Sequence, residues 1–140
     1  MDMGVLNKGV AMAAGNVVAL CPLVDVEQDA KPIADIYRNL GTVSAEQVVA
    51  RALGEVAMTM SSIAEQVNLR DMTDLTRQIR KLQSRAENLG MITLARVSGD
   101  ARICLERGDS TAFSAVWARL IRVTERTLVS ERQSFDNKQS

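Results

Sequence analysis

Residues 71–94 read DMTDLTRQIRKLQSRAENLGMITL, and this stretch decides the fold. Met72, Leu75, Ile79, Leu82, Ala86 and Leu89 step by three and four residues, the interval that gathers side chains onto one face of an α-helix. Asp71 is placed to cap the helix start, and Gly90 to end it.

The same period continues on both sides. Upstream, Pro32 suits a first helical turn, and Ile33, Ile36, Tyr37 and Leu40 repeat at helical spacing until Gly41. Ser44 with Gln47 forms a capping-box pattern opening a longer helix, whose stripe is Val48, Val49, Ala52, Val56, Met60, Ile63 and Val67. Downstream, a helix from Thr93 turns Leu94, Val97, Ala101, Cys104 and Leu105 inward. Gly108 and Asp109 then mark one helix end and the next N-cap. The last helix lines up Phe113, Val116, Trp117, Leu120, Val123, Thr124 and Leu128. Long helices on short links must run antiparallel. The expected fold class is therefore all-α: an up-down four-helix bundle over residues 32–132 with a short extra N-terminal helix. A polar, flexible tail is expected over 133–140.

Composition agrees with this reading. The chain has 140 residues, 46% of them hydrophobic but only 3% aromatic, so small aliphatic side chains must fill one core of a helix-on-helix kind. Seventeen basic and seventeen acidic residues leave no net charge to draw the whole molecule to nucleic acid or anionic lipid. No apolar run reaches membrane-spanning length, and a lone Lys8 beside Asp2 makes a poor secretory signal. Residues 1–31 differ from the rest, with apolar runs and glycines at 4, 9 and 15. Periodicity leaves this arm open between a short strand near 16–24 and an extended segment laid on a groove.

Several chemistries are excluded outright. The chain holds no histidine, which removes imidazole acid–base catalysis, His-activated nucleophiles, His metal ligation and phosphohistidine. Cys21 and Cys104 are too few for a disulfide framework or a zinc site, and their apolar neighbours point to reduced thiols in a cytoplasmic protein. Asp74, Glu87, Asp100 and Glu106 supply neither a Glu-x-x-His pair nor a calcium loop, so no metal is expected. Glycines at the phosphate-loop spacing are missing, and no cofactor is implied. Met58, Met60, Met72 and Met91 fit a core better than an adaptable groove, as does Trp117.

The stretch around Leu82 resembles the core of the histidine phosphotransfer (HPt) domain family. Its members carry His-x-Leu-Lys-Gly-Ser-Ala-x-x-Leu/Ile-Gly, then a Leu, then a helix ending near Leu-Glu. Leu82, Ala86, Asn88, Leu89, Gly90 and Leu94 fall in register, and Leu105-Glu106 matches the later pair. The likeness spans roughly residues 33–130 in helix order, and 75–106 carry what is specific. It departs at the chemistry. Arg80 stands at the phosphoacceptor position, Gln83 at that of the lysine, and Ser84 at that of the glycine. A guanidinium stays protonated and offers no free lone pair, so the resemblance implies an HPt-like fold without phosphotransfer, not an enzyme.

Arg77, Arg80, Lys81 and Ser84 share one outward face of this helix, with Arg85 beside them. Between Arg70 and Arg107 eight basic residues meet five acidic ones, so this half is locally positive. The expected use is docking an acidic partner, and the resemblance implies the carboxylate-rich surface of a response-regulator receiver domain. The plainer alternative is a solvated face balanced by Asp74 and Glu87, in a structural bundle that pairs as a homodimer. The patch is too small, and too poor in stacking aromatics, to suit nucleic acid.

Overall fold

The computed structural model describes residues 26–139, with side chains through Gln133. The apolar run expected as strand or arm, with Cys21, lies outside the described residues. Everything described is helix or short link, giving an all-α protein: α1 (Lys31–Leu40), α2 (Thr42–Asn68), α3 (Leu75–Asn88), α4 (Ile92–Glu106) and α5 (Ser110–Gln139). Each of α2 to α5 packs on the next, α5 touches α2 lightly, and α1 lies on α2. No helix among the described residues is long and apolar enough to cross a membrane.

Most of the stripes read from sequence form the core, but Leu40 of α1, Val48 of α2 and Met72 before α3 are exposed. Leu75, Ile79, Leu82 and Ala86 of α3 are fully buried and meet Val56 and Ile63 of α2, Leu94 and Val97 of α4, and Leu120 and Val123 of α5. Burying an aliphatic side chain of this size contributes roughly 1.5–3 kcal/mol, so α3 holds the molecule together. Met60 and Met91 belong to this core, whereas Met58 is 73% exposed.

Helix starts differ from the expected ones. α2 begins at Thr42 straight after Gly41, so Ser44 and Gln47 lie inside the helix and no side chain caps it. α3 begins at Leu75 rather than after Asp71. Asp71 closes a turn by accepting the Thr73 N–H at 3.1 Å, which leaves Met72 outside the helix and exposed. Asp109 does cap α5, accepting the Ala112 N–H at 3.0 Å.

Helix ends follow one device. α3 ends with the Met91 N–H bonded to Ala86 O (2.9 Å), and α4 with the Asp109 N–H bonded to Cys104 O (3.0 Å). Each closure needs a left-handed residue, Gly90 (φ 75) or Gly108 (φ 70). α2 ends identically, with the Asp71 N–H on Gln66 O at 2.9 Å, but its left-handed residue is Arg70 (φ 56).

Gly90 has a second duty. The Asp29 N–H donates to its carbonyl at 2.7 Å, and a Cβ there would stand 2.1 Å from Asp29 O. Glu27 continues this attachment, exchanging hydrogen bonds with Thr93 at the start of α4. The end of the expected arm is thus fastened to the α3–α4 turn before α1 begins.

Candidate functional site

The five residues expected to dock a partner do lie on α3, away from the core, but the fold treats each differently. Arg77 grips Asp74 one turn earlier through both Nε (3.0 Å to Oδ1) and Nη2, a bidentate fork on its own helix. These hydrogen bonds hold the Asp74 carboxyl below its usual range, and the nearby charges of Arg77 and Lys81 add to the effect. Arg80 crosses to α4, where Nη2 donates to Glu106 Oε2 at 2.9 Å. Arg102 reaches both oxygens of the same carboxylate at 3.1 Å. Glu106 is therefore shared by two guanidiniums, and first the Arg80 and then the Arg102 hydrogen bond lowers its pKa.

Arg85 leans the other way, toward α2, and donates to Glu55 Oε1 at 2.7 Å. It is the least exposed member of the group, and its Nε is buried without a hydrogen-bond partner. Lys81 and Ser84 stay exposed between these pairs, and Lys81 makes no ion pair among the described residues. The carboxylates that balance the face are thus Asp74, as expected, and Glu55 and Glu106 from neighbouring helices. Glu87 makes no ion pair among the described residues.

Gln83 turns toward α4 and covers Gly99: a Cβ on Gly99 would come 3.1 Å from Gln83 Nε2. The glycine lets α3 and α4 approach closely. Ser84 presents its hydroxyl outward with cations as its helical neighbours, and the chain has no histidine to activate it. The face can therefore bind anions and orient carboxylates, but it holds no nucleophile–base pair. No group of His, Cys, Asp and Glu that could hold a metal occurs among the described residues.

A second feature was not foreseen. Where α2 and α4 end and α5 begins, Val67, Met72, Cys104, Leu105, Phe113 and Trp117 line a half-open cavity of about 530 Å³. Trp117 stacks on Phe113, with ring centroids 6.4 Å apart and planes 13° from parallel, so it is a half-buried wall of this cup. Cys104 is a free, half-buried thiol there. Sequence periodicity had placed these residues inward; only the divergence of the helix ends makes a hollow of them.

Set against family models, curated proteins and solved structures, the chain finds no significant match.

Proposed function

We propose that the chain is a non-catalytic, HPt-like interaction module of the cytoplasm. In this reading α2–α5 form an up-down antiparallel four-helix bundle, and the outer face of α3 docks a receiver domain without accepting phosphate. One observation carries the proposal. At the register of the missing acceptor, Arg80 is 63% exposed, beside Lys81, with its guanidinium held across the α3–α4 groove by Glu106. A fixed cation at that place suits carboxylate recognition, and it cannot be phosphorylated as an imidazole can. The helix order and the successive packing of α2, α3, α4 and α5 are in keeping with such a bundle.

The test is direct. The full chain, titrated into a panel of receiver domains, is expected to bind at least one of them. Incubated with the phosphorylated form and Mg²⁺, it should gain no acid-labile phosphoryl group. Arg80→Glu with Lys81→Glu should weaken binding about tenfold at low salt and much less at high salt, because exposed charges act through a field screened over about 8 Å at physiological ionic strength. Stable phosphorylation of the chain, or binding that ignores both substitutions, overturns the proposal.

A structural role has its own support. Val43, Val48 and Met58 of α2 are exposed at 71%, 43% and 73%, apolar side chains that a second copy would cover. Light scattering on wild type and Met58→Glu distinguishes this reading, which requires a dimer that the substitution dissolves.

A further inference from the structure

A row of exposed arginines without ion-pair partners among the described residues lies on α5, not on α3. Arg119, Arg122 and Arg126 are spaced by three and four residues, so they form one stripe roughly 10 Å long on the helix. All three are exposed, and none makes an ion pair or hydrogen bond among the described residues. Six other arginines are supplied with carboxylates: Arg38 with Asp35, Arg77 with Asp74, Arg80 and Arg102 with Glu106, Arg85 with Glu55, and Arg96 with Glu27. The other unpaired cations, such as Arg51 on α2 and Lys81 on α3, are scattered rather than aligned. Glu125 is the acidic residue nearest the row in sequence, but it lines the groove between α5 and α2, alongside Ala57 and Ile121.

We infer that this row is a second docking surface, and that its occupant is an acidic α-helix of a protein partner. The inference goes beyond the α3 reading and does not rest on it. Three like charges at neighbouring positions repel one another in the free protein, and an opposed set of carboxylates relieves that repulsion. A guanidinium offers a planar fork that takes a carboxylate by two parallel hydrogen bonds. A rigid helix presenting three such forks at spacings of three and four matches Glu or Asp residues at the same spacing on a second helix. The occupant's class follows from what surrounds the row. Phe113 is buried and Trp117 faces the cup, so no aromatic stands ready to stack on the bases of a single strand, and a chain of zero net charge lacks the field that draws a protein to a duplex. Ile121 and Val129 are the large apolar residues exposed near the row, and Ile121 lines the groove toward α2, which leaves little to enter a lipid surface.

The experiment uses the full chain and a fluorescent helical peptide bearing Glu at alternating spacings of three and four. A short DNA duplex and phosphatidylserine vesicles run as parallel probes. At low salt, Arg119→Gln/Arg122→Gln/Arg126→Gln should weaken peptide binding at least tenfold. Its melting temperature should stay that of the wild type, since the three side chains are exposed. Arg51→Gln, an exposed cation of α2 outside both faces, should change peptide binding less than threefold. Peptide affinity within twofold of wild type in the α5 variant overturns the inference. So does an Arg51→Gln variant that loses as much, or duplex or vesicle binding that is tighter than peptide binding and depends on the same arginines. Failure here leaves the receiver-domain titration to decide the α3 face on its own.

Discussion

Replacing Gly90 by alanine tests how the chain is tied together at the α3–α4 turn, and Gly108→Ala is its control. Both glycines close a helix in the left-handed region, at φ 75 and φ 70. An L-residue there costs roughly 1–2 kcal/mol, and that should be the whole effect at Gly108, where an added Cβ meets nothing within 4 Å. At Gly90 the same Cβ would stand 2.1 Å from Asp29 O and 3.1 Å from Asp29 C, both backbone atoms, so the incoming segment must move away. Its displacement loses three hydrogen bonds: Asp29 N to Gly90 O at 2.7 Å, Glu27 N to Thr93 Oγ1 at 2.7 Å, and Thr93 N to Glu27 O at 3.3 Å. At about 1 kcal/mol net for each bond, added to the left-handed cost, Gly90→Ala should cost about 4–5 kcal/mol. Urea unfolding followed by circular dichroism gives both values. Amide exchange adds a local readout: the Asp29 and Thr93 amides should lose protection in Gly90→Ala and keep it in Gly108→Ala. Equal costs for the two variants, with both amides still protected, would refute the argument that the turn anchors residues 26–29.

Arg70 invites the opposite change. It holds the left-handed position that glycine fills at the ends of α3 and α4, so Arg70→Gly should raise stability by about 0.5–1 kcal/mol in the same urea assay. Leu82→Ala empties a fully buried site at the centre of α3 and should cost about 2–5 kcal/mol, with receiver and peptide binding falling together as the native fraction falls. The Glu106 carboxyl lies below its ordinary 4.5 because Arg80 and Arg102 bond its charged form. Its contribution is therefore complete above the unfolded value and is lost as pH falls through the lower folded value. Urea midpoints of wild type and Glu106→Gln should differ at neutral pH and converge in acid once the pH has fallen through the lowered folded value. A difference that persists in acid would show that the ion pairs are not its source.

The α3 stripe, the glycines at 90 and 108 and the cap at Asp109 were legible because each rests on neighbours within one or two turns. The helix starts were less so. Ser44 and Gln47 fit a capping box and Asp71 fits an N-cap, but α2 extends back to Thr42 and Asp71 stabilises a turn before α3. Local patterns of nearly equal free energy compete at such places, and packing selects among them. The face itself, Arg77, Arg80, Lys81 and Ser84, was also readable from spacing alone.

Which carboxylates meet that face was not readable. Arg80 finds Glu106 across 26 residues and Arg85 finds Glu55 across 30, whereas the sequence neighbour Glu87 makes no ion pair among the described residues. Sequence by itself determined the helical content, the buried stripe and the absence of histidine chemistry, because periodicity and residue type act locally. Tertiary structure alone decided that Arg80 and Arg85 of α3 are answered by other helices, that the α5 arginines are not, and that Trp117 walls a cup. Charge pairing and cavity shape depend on how helices are set against one another, and that geometry is a property of the whole core rather than of any one turn.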